Sequence, residues 1–445
     1  MAPATKAAPG SRAPRLGVAL VLLAAVPQLA VYAGHLGSGQ FPGSANRPRV
    51  ETLLRMSENA AAGGPLATVR LPGEPARHSL AVDVVPDLGE PVVLDLLSRA
   101  LHQPLGEPAL GLFNLIVMAV ALGGLALAVP HPLRLALLPV YLGLPIVVPL
   151  YRSADTIAIH GALAVLAATA AVLGSRPGPW PRAALAGLLV FATHALRSVY
   201  GVYAAGALLG AAGLVALRLR RPAALRGAGL ALLAALTLQL PWAALLAGRA
   251  GDPRVVERGT VASHDVWAML ISGVGWSENR WGIGASDTKV ATFLASRAGL
   301  PAPPPLMSRE TERIARGVYL ELWREDPMEL LRIYAARVPR GLAEHAFLGG
   351  PGAALWLAAL AAALGLAWRR RDPDALAAVA GPALVAFALL GQIAVIDPRL
   401  IYAWPLTFLT ALSLATSLGT LVVIQRRASD LQDTARGSGT RRTEG

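Results

Sequence analysis

The stretch HDVWAMLISGVGWSENRWGIGASD, residues 264–287, gathers three tryptophans, a histidine, an amide and several carboxylates among glycines. Aromatic faces stack on the C–H faces of a sugar ring, while amide and carboxylate groups bond its hydroxyls. Glycines let backbone approach a ligand closely. His264, Trp276, Glu278, Asn279, Trp281 and Asp287 are therefore candidates for holding a polyhydroxylated ligand. A simpler role for Trp267 is in the aromatic belt at a membrane surface. The alternative for the whole stretch is a loop that caps a helix bundle.

Three arginines stand in short polar connections between apolar runs. Arg152 lies in YRSADTIAIHG with Asp155 and His160, Arg197 in FATHALRSVYG with His194, and Arg399 in VIDPRLIYAWP with Asp397 and Tyr402. A guanidinium is a rigid fork that fits a phosphate, and ionisable groups at a membrane boundary are costly unless paired or used. Arg152, Arg197, Arg399 and Tyr402 thus form a candidate site for a lipid phosphate. The plainer reading pairs Arg152 with Asp155 and Arg399 with Asp397, and lets Arg197 reach lipid headgroups along its own stem. His160 and His194 read as helix-packing groups. A third set is Asp83 and Asp87 in RHSLAVDVVPDLG, carboxylates that could serve as a general base.

What must position these groups is a membrane bundle. The 445-residue chain is 54% hydrophobic and 15% charged, with a formal charge of +13 and no cysteine. That excludes disulfides, thiolate metal sites and cysteine nucleophiles. Apolar runs recur at about 15–33, 109–129, 133–150, 156–174, 183–198, 199–217, 224–247, 351–367, 375–395 and 400–424. The expectation is an all-α polytopic membrane protein with about ten transmembrane helices. The first run reads as an uncleaved anchor, with a cleaved signal peptide as the alternative.

Charge sets the orientation. With the N-terminus cytoplasmic, the cytoplasmic segments hold 18 basic and 5 acidic residues, and the outer segments balance at 22 of each. The whole excess of positive charge then lies inside, as the positive-inside rule requires, and nucleic acid is not implied as a partner. Two long segments fall outside, 34–108 and 248–350, within a transmembrane domain of residues 1–424. The tail, 425–445, reads as a disordered cytoplasmic segment. No GxxxxGK[ST] loop occurs, which argues against an ATP-driven pump.

The first outer loop reads as two amphipathic helices, NRPRVETLLRMSENA and EPVVLDLLSRALHQP, around an irregular middle. In the second, Asp326, Pro327 and Glu329 mark a helix start of the capping-box kind. The loops are small for an independent domain and are expected to fold onto the bundle.

This layout resembles the GT-C class of membrane glycosyltransferases, including polyprenyl- or dolichyl-phosphate-sugar transferases and aminoarabinose transferases. DLGEPVVLDLLSRALHQPLGEPALGLFNLIV resembles their helix leading into the second span. GVGWSENRWGIGASD with WREDPMELLRIYAARV is similar to a loop of bacterial members, and DPRLIYAWPLTFLTAL to their final span. The resemblance covers most of the chain at the level of architecture, through degenerate motifs. It implies transfer of a sugar from a polyprenyl-phosphate donor to an extracytoplasmic glycan, lipid or protein, at a bacterial cytoplasmic membrane. Many members carry an acidic residue directly after the first span. Here none precedes Glu51, which leaves Asp83 or Asp87 for the base. No ligand spacing demands a metal, although a divalent cation beside these carboxylates is compatible with them. A polysaccharide ligase or polymerase taking a pyrophosphate-linked glycan is the second enzymatic reading. A transporter, lipid flippase or envelope scaffold is the non-enzymatic one, but no internal repeat or matched pair of broken helices favours it.

Overall fold

The computed structural model describes residues 19, 47–71, 73–80, 88–147, 159–220, 222–256, 266–304, 308–396 and 400–439. Among them are fifteen helices and three short strands. The bundle consists of α3 (Glu107–Ala128), α4 (His131–Val147), α5 (His160–Ser175), α6 (Trp180–Leu196), α7 (Ser198–Leu219), α8 (Ala223–Ala250), α13 (Gly349–Arg370), α14 (Pro373–Val395) and α15 (Leu400–Gly439). These nine fall at the nine expected positions from 109 onward. Six helices are long and apolar enough to cross a bilayer: α3, α7, α8, α13, α14 and the Trp404–Arg426 part of α15. They mark the chain as a multi-pass membrane protein. At 1.5 Å per residue, the 17 residues of α6 reach only about 26 Å, short of a hydrocarbon core of about 30 Å. The expected first span lies outside the described residues, apart from residue 19.

Small residues decide the packing. Every residue of α5 is buried except Leu173, and α3, α6, α7 and α14 surround it. Its sequence, HGALAVLAATAAVLGS, presents mostly methyl groups, so neighbouring backbones approach closely. At Gly381 of α14 a Cβ would lie 3.2 Å from the Ala168 carbonyl oxygen. By contrast, α8 buries a stripe of Ala224, Ala228, Ala231 and Ala235 and turns Leu230, Leu233, Leu236 and Leu240 outward. Leucine outside and alanine inside suits lipid as the surrounding solvent.

The connections gather at two ends. At one, Arg176 of the α5–α6 turn donates to Asp374 Oδ1 at 2.5 Å and to the Ala128 carbonyl at 2.7 Å. Arg218 donates to the carbonyl of Trp368 there as well. This is the arginine-rich end. The other end carries two lobes.

The first lobe contains α1 (Arg47–Ala61), β1 (Thr68–Leu71), β2 (Glu74–Leu80) and α2 (Gly89–Leu101). The two helices stand where expected. The middle, however, is an antiparallel hairpin, and β3 (Val255–Val256) from the second loop adds to it in parallel. An all-α reading missed this sheet because β1 has four residues and β3 two, and the seven of β2, EPARHSL, carry little apolar alternation. Asp95, fully buried, accepts from the Ala67 N–H at 2.9 Å and from Arg99 Nε at 2.5 Å. Arg99 in turn donates to the Gly64 carbonyl at 2.6 Å. The apolar core of this lobe, Val50, Leu53, Met56, Val92 and Leu94, continues into Leu110 and Phe113 of α3 and Trp242 and Leu246 of α8.

The second lobe comprises α9 (Val266–Gly275), α10 (Asp287–Ala298), α11 (Arg309–Glu325) and α12 (Pro327–His345). Its core joins Ile271, Val274, Val290, Leu294, Tyr319, Leu322, Leu330 and Ile333, all from the lobe itself. Asp326 caps α12 as expected, accepting from the Glu329 N–H at 3.0 Å. The carboxylate of Glu329 pairs with Arg332 at 2.6 Å. Past Ile424, α15 continues to Gly439, through residues whose composition reads as unstructured. Extending an existing helix needs no new nucleus, which lets polar residues follow the span.

Candidate functional site at the lobe-bearing end

Five of the sequence candidates lie outside the described residues: Asp83, Asp87, Arg152, Arg399 and His264. Tyr402 falls in the first turn of α15. The others can be placed.

Arg197 is the single residue between α6 and α7, with extended backbone, and is 5% exposed. It does not extend outward along its stem; the protein encloses it. Its N–H donates to the Thr193 carbonyl and its own carbonyl accepts from the Tyr200 N–H. That junction is tight because Gly201 lies against His194, where a Cβ would come within 2.3 Å of the histidine Cβ. The first residue of α2 meets the same place. A Cβ on Gly89 would lie 1.7 Å from the Ala195 carbonyl oxygen and 2.7 Å from the Leu196 Cα, so only glycine fits.

From this junction polar and aromatic groups run inward as a continuous series. Tyr200 stacks edge-on with His160 at 5.4 Å and with Tyr203 at 5.7 Å. The Tyr203 hydroxyl donates to Gln392 Oε1 at 2.7 Å. At Gly161 a Cβ would strike the indole of Trp404, which brings the start of α15 against the start of α5. Both histidines pack between helices, and His194 Nδ1 lies 3.2 Å from the Ser198 carbonyl oxygen.

One residue beyond Gln392, Ile393 lines a cleft of about 190 Å³ with Trp276, Ser277, Arg337, Arg340, Glu344 and His345. It is smaller than the roughly 300–1,000 Å³ of a typical ligand pocket, and its size suits a headgroup or a single ring. Arg337 is 5% exposed. Its Nε donates to Ser277 Oγ at 2.9 Å and its Nη1 to the Ala394 carbonyl at 3.0 Å, while Nη2 donates to the Gly273 carbonyl. Arg340 pairs with Glu344 at 2.7 Å, and Glu344 Oε2 is 3.7 Å from His345 Nε2. Of the tryptophan-rich stretch, Trp276 faces this cleft.

Its neighbours in sequence hold the lobe together. Asn279 donates from Nδ2 to the carbonyls of Ser277 and Ile283, each at 2.9 Å, and its Oδ1 accepts from the Ile283 N–H at 3.0 Å. Those bonds close its own loop. Trp281 Nε1 donates to Glu325 Oε2 at 2.8 Å, and Arg297 joins the same carboxylate at 2.6 Å. Arg297 first, then the indole N–H, hold the Glu325 carboxyl below its usual range. Asp326, bonded by the Glu329 N–H and by Arg280, is lowered likewise. Glu278 is exposed, with its backbone carbonyl accepting from Arg332 at 3.2 Å. Asp287 is exposed in the first turn of α10. Burial and the bond to Tyr319, at 2.8 Å, push the Tyr334 hydroxyl up.

Sequence reasoning missed Arg337, Arg340, Glu344 and His345. A signal was there: Leu330, Ile333, Arg337, Gly341 and His345 share the buried face of α12, and a charge within an apolar stripe is unusual. Among the described residues no group of three His, Asp or Glu side chains could hold a metal ion. Compared with protein-family models, curated proteins and solved structures, the chain matches none.

Proposed function

We propose that the chain is a membrane glycosyltransferase that moves a sugar from a polyprenyl-phosphate-linked donor to an extracytoplasmic acceptor. The arginine-rich end faces the cytoplasm and the lobes face outward. The donor phosphate lies at the outer rim with Arg197, Arg152 and Arg399, and its sugar points toward Trp276 and the cleft. Asp83 or Asp87 removes the proton from the acceptor hydroxyl. The hydroxyl oxygen then bonds the anomeric carbon as the bond to the phosphate oxygen breaks, with inversion. The arginines stabilise the charge left on the polyprenyl phosphate.

The observation that carries this reading is the contact of Gly89 with Ala195 and Leu196. Gly89 stands two residues after Asp87, and Leu196 immediately precedes Arg197. Two groups chosen independently from the sequence, a carboxylate segment and an arginine junction, are thus adjacent in chain terms to one backbone contact. Support also comes from the polar and aromatic series Tyr200, His160, Tyr203 and Gln392 between the Arg197 junction and the cleft wall at Ile393, at the end of a bundle where a lipid headgroup would lie.

Native mass spectrometry of the purified protein with polyprenyl phosphate and polyprenyl pyrophosphate tests it. The expected result is selective retention of the monophosphate, lost in one or more of Arg152→Ala, Arg197→Ala and Arg399→Ala. Preference for the pyrophosphate favours the ligase reading. Binding of neither overturns the lipid-phosphate site and leaves a transporter or scaffold.

A further inference from the structure

A second and larger recess lies in the first lobe, between α1 and the hairpin. Its volume is about 750 Å³, and Arg55, Glu58, Ala62, Val69, Arg70 and Gly73 line it. The size falls within the range of small-molecule pockets. Its walls are held at a fixed separation. Asn59, buried beneath them, donates from Nδ2 to the Thr68 carbonyl at 3.1 Å and to Thr68 Oγ1 at 2.8 Å, which locks α1 onto β1.

Most arginines of the lobes are paired, although Arg313, Arg316 and Arg324 of α11, like those on these walls, are exposed and engage no carboxylate among the described residues. Arg47, Arg99, Arg254, Arg280, Arg297, Arg332 and Arg340 each engage a carboxylate. Arg55 and Arg70 are exposed and engage none among the described residues. Glu58 stands one helical turn from Arg55, at a spacing that commonly gives a pair, and still the two do not pair. Two guanidinium groups and one carboxylate therefore border an open groove from opposing walls, with no carboxylate or guanidinium partner among the described residues.

We infer that this groove binds an acidic saccharide. Arginine forks suit the carboxylate of a uronate residue, and a carboxylate such as Glu58 accepts from neighbouring ring hydroxyls. A nucleic acid fits less well, because Glu58 repels a polyanion and, among the described residues, no aromatic side chain lines the groove for base stacking. An acidic peptide added to the edge of β1 is also disfavoured. That strand has four residues and its pairing slips between Arg70 and Leu71, too short and irregular an edge to template another strand. The groove's role as an acceptor subsite rests on the transfer reading above; binding itself does not.

The test is calorimetric titration of the full-length protein in lipid nanodiscs with trigalacturonate, maltotriose and inorganic phosphate. Trigalacturonate is expected to bind, with maltotriose much weaker. Arg55→Gln and Arg70→Gln should each weaken trigalacturonate by about tenfold, in line with the loss of one charge-assisted bidentate contact. Glu58→Gln should weaken it by a smaller factor. The inference is overturned if trigalacturonate does not bind, if maltotriose binds equally, if free phosphate binds as tightly, or if neither arginine substitution matters. Retention of polyprenyl phosphate by the same preparation reports separately on the transfer reading, so the two can fail independently.

Discussion

The first lobe seats Val50, Leu53 and Val92 against Trp242 and Leu246 of a bundle helix, while the second keeps Ile271, Leu294, Leu322 and Ile333 to itself. Their attachments are nevertheless alike. Each touches the bundle through a glycine whose Cβ would overlap a carbonyl oxygen, Gly89 on Ala195 and Gly273 on Val395. Each is also tied by one buried arginine that donates to backbone carbonyls. Arg249 of α8 reaches Leu66 at 2.8 Å and Ala67 at 3.0 Å, and Arg337 of α12 reaches Ala394 and Gly273. The same fastening thus serves two kinds of lobe: one whose core continues into the bundle and one whose core is closed on itself.

Removing the fastening should have the largest effect on both lobes. Arg249→Met and Arg337→Met should each cost about 3 kcal/mol, because charge-assisted bonds to buried carbonyls are lost. Hydrogen exchange should separate them. Arg249→Met should speed exchange throughout residues 47–101, since a lobe whose core is completed by bundle helices loosens when its anchor goes. Arg337→Met should speed it at the α9 and α14 ends and spare the α10–α11 core. Equal loosening of both lobes would erase the distinction.

Next come the glycines. Gly89→Ala and Gly273→Ala force a backbone shift and should each cost about 1–3 kcal/mol, read as a lowered thermal midpoint in nanodiscs. Only Gly89→Ala should also disturb the Arg197 junction, and hence polyprenyl-phosphate retention.

Acid should act on the lobes in sequence. Burial first, then Arg254 and Arg70, hold His78 of the first lobe below its ordinary value of 6.5. The unfolded chain therefore binds more protons there, so the contribution of His78 to that lobe is complete above about pH 6.5 and falls as pH drops below it. In the second lobe Glu325, Asp326 and Glu329 are lowered by their arginine and backbone partners. Their contribution is present above the ordinary carboxylate range and is lost only as pH falls through the lowered values. Limited proteolysis between pH 7 and pH 5 should thus cut the first lobe sooner. The smallest effect is expected of Tyr334→Phe, about 1 kcal/mol for the Tyr319 bond, confined to the second lobe and visible as faster local exchange.

The bundle was legible because apolar runs of membrane length are long and distinctive, and the starts of α2 and α12 because proline marks them. The site was legible only in part. Asn279 and Trp281 have the chemistry of sugar ligands, yet their bonds go to Ile283 and to Glu325, 44 residues away. Nothing local in sequence tells a side chain that binds from one that closes its own loop. Arg249 and Arg337 were hidden by number, since arginine is common in this chain and burial depends on partners distant in sequence. The hairpin was hidden by its length and by its third strand, which comes from the other loop.

That third strand has a consequence for the order of manufacture. His78 pairs with Val255, so some 175 residues and six bundle helices must emerge before the sheet can close. At typical translation speeds of roughly 5–20 residues per second, the ribosome takes about 10–35 s to make them. Through that interval the first lobe waits with one strand missing and Arg249 not yet made. A truncation anywhere before Val255 would leave it unfinished and open to proteolysis, which makes β3 a built-in check that most of the chain has been delivered.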